Sequence, residues 1–333
     1  MIKIANFLIT RRCNLKCDYC RLSGNINYML KPPEYPSGSY FYQNEKPISW
    51  WIDLTDKLYE ENKDIFIIIY GGEPFMRDDL SDLVIHMNKI KVNYTIISNC
   101  VDQKKIEVFF SKVGRVRGFT ASIDPILHDE KLDKDPEFIK SKCGFDTLIK
   151  LKDKKLVDDL VAEITCDNES IHNVEHLIKF LSDHGIYSDL TVVDISKNQY
   201  YDFSDVTNEK FAVGQSEEVK NIFDRLINSN YKIHMKKELL PLIYDNLPTN
   251  FKCNLGPENM DNVTIDSDGK LRLCLRIAGR NTRSLSAFDL FEPETRNHVA
   301  RVLEGDRETI CNGCIWTCAM MGELGNKLIL NHE

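Results

Sequence analysis

The cysteines of this chain restrict what it can be more than any other feature, because most of them fall into two groups. Eleven are present among 333 residues. The N-terminal group is Cys13, Cys17 and Cys20, the C-terminal group is Cys253, Cys274, Cys311, Cys314 and Cys318, and the scattered ones are Cys100, Cys143 and Cys166. Three closely spaced thiolates are one short of closing a tetrahedral zinc site or a cubane iron–sulfur cluster. The first group therefore predicts a metal site with an open coordination position, and the alternative is a structural zinc site completed by a distant His or Cys.

A disulfide framework is the usual reason for many cysteines in a short secreted domain. This chain is longer than such domains, and its first residues show no basic region followed by a small-residue cleavage site. No apolar run approaches the roughly 18 residues that span a bilayer, and a formal charge of −8 argues against a broad basic face for nucleic acid. We therefore expect a reducing, cytoplasmic environment, no membrane partner, and scattered cysteines that are buried as small apolar groups.

Short runs of β-branched residues alternate with helical patterns over the first 200 residues. The strand-like runs are residues 3–10, 65–70, 94–98, 118–124, 160–165 and 190–195. Residues 170–184 carry one apolar stripe, with Ser170 placed to cap a helix and Gly185 to end it. Six strands with five crossovers predict an α/β fold whose parallel sheet winds into an open or closed barrel. Such sheets bind ligands at the carboxyl ends of their strands, so we expect the site residues directly after each run.

A different pattern begins after residue 200. Ser216 is placed to cap a helix that has Glu217 and Glu218 in its first turn. Residues 262–274 predict a β-hairpin with Ser-Asp-Gly as its turn, and an irregular cysteine-rich end follows. We therefore divide the chain into an α/β unit at 1–200, a helical connector at 201–250 and a small C-terminal module at 251–333.

The N-terminal cysteines also match a known motif. Cys13, Cys17, Tyr19 and Cys20 have the spacing Cys-x3-Cys-x-aromatic-Cys directly after the first predicted strand. In this the chain resembles the radical S-adenosylmethionine (radical SAM) superfamily. The resemblance implies a partial (β/α)6 barrel and a [4Fe–4S] cluster on the three cysteines, with SAM chelating its unique iron. Reductive cleavage of SAM would yield a 5′-deoxyadenosyl radical, and Tyr19 would lie against the adenine.

A second match follows the second predicted strand, in the turn Gly71-Gly72-Glu73-Pro74. Two glycines let a backbone approach a ligand closely, and Glu73 offers an anion to a cationic group. In the superfamily this motif receives the ammonium group of SAM. The resemblance therefore implies that all four residues contribute to cofactor binding.

The third and fourth predicted strands also end in polar residues. Ser98-Asn99 stands where relatives have Thr-Asn-Gly, with Cys100 in place of the glycine. Ser122 and Asp124 are similar to the Ser-x-Asp of SPASM-type members, in which the serine contacts SAM. The resemblance thus implies cofactor contacts at both strand ends, although Asp124 could instead cap a turn.

Other polar residues near this edge have no assigned role. Relatives carry an arginine shortly after the fourth strand that also meets SAM, and Lys131 is the nearest cation here, so that role is not transferred. On the fifth and sixth strands the inward polar candidates are Glu163, Thr165 and Asp194. The pattern does not decide which of these face SAM or substrate.

The C-terminal cysteines predict a second metal site, because thiolates that flank a hairpin can join a Cys-x2-Cys turn around one metal or cluster. Their pattern resembles the twitch module, the shorter relative of the SPASM domain, which holds one auxiliary [4Fe–4S] cluster. The predicted ligands are Cys253, Cys274, Cys311 and Cys314. Cys318 either replaces one of them or is a thiol near the substrate, and a structural zinc ribbon is the alternative.

The resemblance implies a radical SAM oxidoreductase. Four thiolates would saturate the auxiliary cluster and leave it to relay electrons, which favours net oxidation (dehydrogenation) of the substrate. A peptide maturase or an epimerase with Cys318 as hydrogen donor is the second possibility, and a non-catalytic zinc or Fe–S scaffold protein is the alternative of another class.

The partners expected with this chemistry are a small-molecule substrate, such as a sugar, a cyclitol or a nucleoside-linked metabolite, or a short peptide. Reduced flavodoxin or ferredoxin is the expected electron donor. Arg272, Arg276 and Arg280 surround Cys274. We expect them on a solvated strand face, and the alternative is that they meet an anionic substrate or act as a base.

Overall fold

A computed structural model describes residues 1–15, 17, 19–20, 44–125, 136–193, 211–247, 262–272 and 284–310, with 136–139, 307, 309 and 310 described by their backbone alone. Within these ranges eight strands form one sheet: β1 (Ile4–Leu8), β2 (Phe66–Tyr70), β3 (Asn93–Ser98), β4 (Val116–Ile123), β5 (Val157–Cys166), β6 (Tyr187–Val192), β7 (Asn262–Ile265) and β8 (Leu271–Arg272). Their order in the sheet is β6-β5-β4-β3-β2-β1-β7-β8.

The first six strands are parallel to one another and lie in chain order. All six runs predicted from the β-branched residues form strands, with ends that shift by a few residues. Helices connect them, so the predicted α/β fold with a parallel sheet is confirmed and has the layout of a partial (β/α)6 barrel.

The described helices are α1 (Ile48–Glu61), α2 (Leu80–Ile90), α3 (Gln103–Val113), α4 (Pro136–Asp153), α5 (Val174–Asp183), α6 (Glu217–Asn228), α7 (Leu239–Asp245) and α8 (Pro293–Ile310). Ser216 caps α6 as predicted, because its Oγ accepts the amide hydrogen of Val219 at 3.1 Å. The prediction for Ser170 was wrong: it begins a 3-10 turn, Ser170–Asn173, and donates to Asp167 Oδ1 at 2.7 Å, so α5 starts four residues later.

Alternate residues of each strand face opposite sides of the sheet. One side is apolar and packs against the helices: Phe7 of β1 lies against Trp51 of α1 with ring centroids 4.9 Å apart, and both are fully buried. The other side is polar and includes Asn6 and Thr120. This second side carries Ser122 of β4, which is paired in register with Glu163 of β5. Polar groups therefore line this second side of the sheet.

The predicted hairpin is confirmed as β7 and β8, which are antiparallel and joined by a turn in which Gly269 has φ +79°. Its first strand pairs in parallel with β1, from Ile4 opposite Asn262 to Phe7 opposite Ile265. The hairpin therefore extends the main sheet at the edge beside β1. All five cysteines of the C-terminal group lie outside the described residues.

The described helices also bear on the membrane prediction. Among the residues that the structure describes, no helix combines the length and the apolar character needed to cross a membrane.

Candidate cofactor site at the carboxyl edge of the sheet

The predicted site residues meet where β1 to β4 end. The N-terminal cysteines and Tyr19 follow β1, Glu73 follows β2, Asn99 follows β3 and Asp124 follows β4. Contacts join these segments in pairs. The carboxyl ends of parallel strands lie at one edge, which is why residues so far apart in sequence come together.

The two glycines after β2 pack against the segment that leads to the cysteines. The amide of Gly72 donates to Thr10 O, and the amide of Glu73 donates to Arg12 O, each at 2.8 Å. A Cβ on Gly71 would lie 2.4 Å from Thr10 O, and one on Gly72 would lie 2.3 Å from Arg12 O. The close approach that these glycines permit is thus to the chain's own backbone, and their contact with SAM stays a prediction.

Glu73 joins the ends of β2 and β3. Its carboxylate accepts hydrogen bonds from Ser98 Oγ at 2.9 Å, from the Asn99 amide at 2.7 Å and from the Phe75 amide at 3.1 Å. The residue is 2% exposed. Burial raises the pKa of Glu73 to about 7, even though these hydrogen bonds favour the ionised form. Pro74 follows as the first residue of a buried 3-10 turn, Pro74–Met76.

Asn99 connects β3 to the cysteine segment. Its Nδ2 donates to Asn14 Oδ1 at 2.8 Å and lies 3.7 Å from Cys13 Sγ. The next residue, Cys100, is fully buried and has φ +60°, in the left-handed region that favours glycine. This backbone conformation explains why a glycine suits the position that Cys100 occupies, because the chain turns sharply after Asn99.

Tyr19, Asp124 and Lys140 form a compact polar cluster. Tyr19 Oη donates to Asp124 Oδ1 at 2.8 Å, Lys140 Nζ donates to Tyr19 Oη at 2.5 Å, and Lys140 forms an ion pair with Asp124 Oδ2. Burial raises the pKa of Asp124, against the opposing effects of Lys140 and Tyr19. The carboxylate therefore does more than cap a turn. Lys140 was not predicted from the sequence, although a cation in the helix that follows β4 was a signal for it. Lys131, the cation nearest to the position of the relatives' arginine, lies outside the described residues.

The cysteines themselves have the right chemistry for a cluster. Cys13, Cys17 and Cys20 are half-buried on one short segment at this edge, and thiolates are the ligands that iron–sulfur clusters take. Among the described residues, no group of three or more His, Cys, Asp or Glu side chains is arranged to hold a metal ion. The donor set fits a cluster in kind, and its arrangement around one stays a prediction.

A second polar group lies further along the polar side of the sheet. Thr191 of β6 donates to the carboxylate of Glu163, and burial followed by the charge of Asp189 raises the pKa of Glu163 to about 7. His234 lies beside it and contacts Asp189 Oδ2 at 2.9 Å. Glu163 is thus one of the inward polar candidates on the same face as Ser122, while Asp194 lies outside the described residues.

Two expectations for other residues were wrong. Cys100 and Cys166 are buried as predicted, but Cys143 on α4 is only half-buried. Arg272 is not solvated: it is buried and donates to Asp266 Oδ2 at 3.1 Å. The same carboxylate binds Arg11, whose Nε donates to Asp266 Oδ1 at 3.0 Å. Strand alternation could not reveal this, because the partner lies at the start of the hairpin turn.

Comparison with known proteins bears on the domain that contains these residues. Residues 7–134 match the sequence model of the Radical SAM superfamily. The chain contains a radical SAM domain. The match runs from within β1 to beyond the end of β4, so it includes all the residues predicted to contact SAM. No curated protein matches the chain.

Solved structures resemble the chain beyond the radical SAM domain. Streptococcus suis SuiB bound to its precursor peptide SuiA matches with a TM-score of 0.60 and 16% sequence identity, over 94% of this chain and 72% of that chain. SuiB bound to S-adenosylmethionine matches with a TM-score of 0.54 and 15% identity, over 82% of this chain and 60% of that chain. The chain thus spans about 60% of the length of SAM-bound SuiB. At these identities the likeness shows the fold alone.

Proposed function

We propose that this protein is a SAM-dependent radical enzyme. The observation that carries the proposal is the radical SAM domain at residues 7–134, whose predicted cofactor residues meet at one edge of the sheet. A [4Fe–4S] cluster, when bound and reduced, supplies the electron that cleaves SAM to a 5′-deoxyadenosyl radical. Cys13, Cys17 and Cys20 would hold that cluster.

The chain's own residues would arrange the cofactor in specific ways. Asn99 would orient the cysteine segment through its contacts with Asn14 and Cys13 Sγ. Glu73 would keep the ends of β2 and β3 in register. Ser122 is half-buried on the polar side of the sheet, where it would contact SAM. The roles proposed for these residues are thus binding and orientation of the cofactor.

We propose a peptide or a small molecule as the substrate. A peptide is supported by the fold likeness to SuiB, which was solved with its precursor peptide SuiA. A sugar, cyclitol or nucleoside-linked metabolite is the second candidate from sequence. In either case the radical would remove a hydrogen atom from the substrate.

The finer assignment is a net oxidation through an auxiliary cluster on Cys253, Cys274, Cys311 and Cys314. Cys318 as a hydrogen donor would instead make the enzyme an epimerase. We retain the division into a barrel at 1–200, a connector at 201–250 and a cluster module at 251–333. Reduced flavodoxin or ferredoxin would supply the electron.

Anaerobic reconstitution tests the proposal. The wild-type chain is expected to bind about eight irons if both clusters form, and to produce 5′-deoxyadenosine from SAM with dithionite. The matched control replaces Cys13, Cys17 and Cys20 with Ala, which should leave about four irons and abolish SAM cleavage. Zinc in place of iron, or iron without 5′-deoxyadenosine, would favour a non-catalytic scaffold and overturn the proposal.

The substrate class needs a separate measurement. Short peptides encoded beside the gene and a panel of small metabolites are each added to the reconstituted enzyme, and 5′-deoxyadenosine and mass-shifted product are measured. A product two mass units lighter indicates oxidation. A product of unchanged mass in ordinary water that gains about one mass unit in heavy water indicates epimerisation, and that gain should be lost in Cys318→Ala.

A further inference from the structure

Tyr19 lies in the sequence between Cys17 and Cys20, which are two predicted cluster ligands. Its hydroxyl is held by two residues that follow β4. It donates to Asp124 at 2.8 Å and accepts from Lys140 at 2.5 Å. Asp124 follows β4 and Lys140 lies on α4. One side chain of the cysteine segment is therefore fastened to two elements more than a hundred residues away.

Burial makes this contact strong. Asp124 is 3% exposed and Lys140 is 4% exposed, so both charges are largely removed from water. A buried charge that loses its partner is costly, and the pair therefore stays together. Lys140 Nζ also lies 5.2 Å from the centre of the Tyr19 ring, and the ring packs edge-on against Phe211 at 6.4 Å. The hydroxyl and the ring are thus both fixed.

The backbone beside Asp124 adds a second attachment to α4. Ser141 Oγ accepts the Asp124 amide hydrogen and donates to the Asp124 carbonyl, each at 2.9 Å. Asp124 consequently cannot shift without moving the start of α4. Because Asp124 and Lys140 are fixed in this way, they fix the position of the Tyr19 hydroxyl relative to the sheet.

We propose that Asp124 and Lys140 are positioning residues that tether the cysteine segment, residues 13–20, through the Tyr19 hydroxyl. They set where the thiols stand relative to the ends of β3 and β4. The inference rests on the proposed function, because the tethered thiols are the predicted cluster ligands. It differs from a contact between Tyr19 and adenine, which needs the ring and not the hydroxyl.

Hydrogen–deuterium exchange on the metal-free protein tests the tether without any cofactor. Tyr19→Phe removes the hydroxyl alone and is expected to raise exchange across residues 13–20 about tenfold. Lys140→Met should also raise exchange, and the double variant should show less than the product of the two single effects, because both variants remove the hydrogen bond between Lys140 and Tyr19. Lys140→Arg keeps the charge and should restore slow exchange.

Lys142→Met is the matched control, since Lys142 lies on the same helix and is exposed. The inference is overturned if Tyr19→Phe exchanges like this control, or if the effects of Tyr19→Phe and Lys140→Met multiply. Tyr19→Phe decides the matter even if Lys140→Met fails to fold, because it retains every carbon atom of the ring.

Reconstituted protein gives the second readout. The SAM concentration that half-shifts the electron paramagnetic resonance signal of the reduced cluster should rise about tenfold in Tyr19→Phe and stay unchanged in Lys142→Met. An unchanged value in Tyr19→Phe would contradict the tether. If wild-type protein forms no cluster, the proposed function fails, while the exchange experiment still decides the tether.

Discussion

A Cβ atom on Gly72 would lie 2.3 Å from the carbonyl oxygen of Arg12, and therefore the turn after β2 tolerates no side chain at this position. Gly72→Ala should force the two backbone segments apart and weaken the hydrogen bond from the Glu73 amide to Arg12 O. We expect a loss of about 2 kcal/mol or more in the free energy of unfolding, measured by urea denaturation.

Gly305→Ala is the control for Gly72→Ala. Gly305 lies within α8, and a Cβ there meets nothing within 4 Å. Alanine is the better helix former, so this change should stabilise the chain by about 0.5–1 kcal/mol. Equal stability of the two variants would contradict the tight packing at Gly72.

Asp266 is the shared partner of two buried arginines. Arg11 and Arg272 both donate to its carboxylate, and although burial opposes ionisation, the two guanidinium groups lower the pKa of Asp266. Asp266→Asn should cost about 3–5 kcal/mol of unfolding free energy, because it leaves buried cations without a counter-charge. Since Arg11 stands two residues before Cys13, the variant should also retain less iron after reconstitution.

Asp268 in the same turn gives the comparison. Burial, followed by the charge of Asp266, raises the pKa of Asp268. Asp268→Asn removes that repulsion and should change the unfolding free energy by less than about 1 kcal/mol. If both variants are destabilised alike, the turn and not the ionic cluster is the sensitive feature.

Cys100 combines full burial with a left-handed backbone. In Cys100→Gly the relief of backbone strain should offset the lost apolar contacts, so the unfolding free energy should change by less than about 1 kcal/mol. Cys100→Val has similar apolar bulk but is β-branched, and should cost about 2 kcal/mol or more. A Val variant as stable as the Gly variant in urea denaturation would argue against strain at this position.

His234 should make stability depend on pH above neutrality. Burial disfavours the imidazolium, but hydrogen bonds with Asp159 and Asp189 outweigh it and raise the pKa of His234 from 6.5 to about 10. The native state therefore keeps a proton that the unfolded chain releases near pH 6.5. The stabilisation is complete below pH 6.5 and is lost as the pH rises to about 10.

Urea denaturation at pH 7 and at pH 10 checks the His234 prediction. Wild-type protein should lose about 2 kcal/mol more over this interval than His234→Gln does, with allowance for partial solvent screening. Other groups also titrate here, so the difference between the two proteins is the measured quantity. Parallel pH profiles would rule out a raised pKa of His234.

The sheet could be predicted from the sequence because its determinants are local. Runs such as residues 65–70 are apolar and β-branched, and they form strands wherever they are packed on both faces. The hairpin followed from its Ser-Asp-Gly turn in the same way. The placement of Cys13 after β1 and Glu73 after β2 followed from the rule that parallel sheets present their site residues at the carboxyl ends.

Contacts between distant segments could not be predicted, because nothing local encodes them. The sequence predicts Arg272 to be a charge on a solvated strand face, yet the residue is buried against Asp266. This pairing depends on how the hairpin packs beside β1. The sequence predicts Gly72 to be a ligand-binding glycine, yet the absence of a Cβ atom makes room for Arg12 O.

The amino-acid sequence by itself determined the parallel α/β sheet and the cysteine motif after its first strand. Tertiary structure alone decided which groups meet at the edge: Glu73 with Ser98, and Tyr19 with Asp124 and Lys140. The reason is physical. Strand formation depends on neighbouring residues, whereas a buried hydrogen bond needs two groups to be placed within about 3 Å by strands whose register is set by the whole sheet.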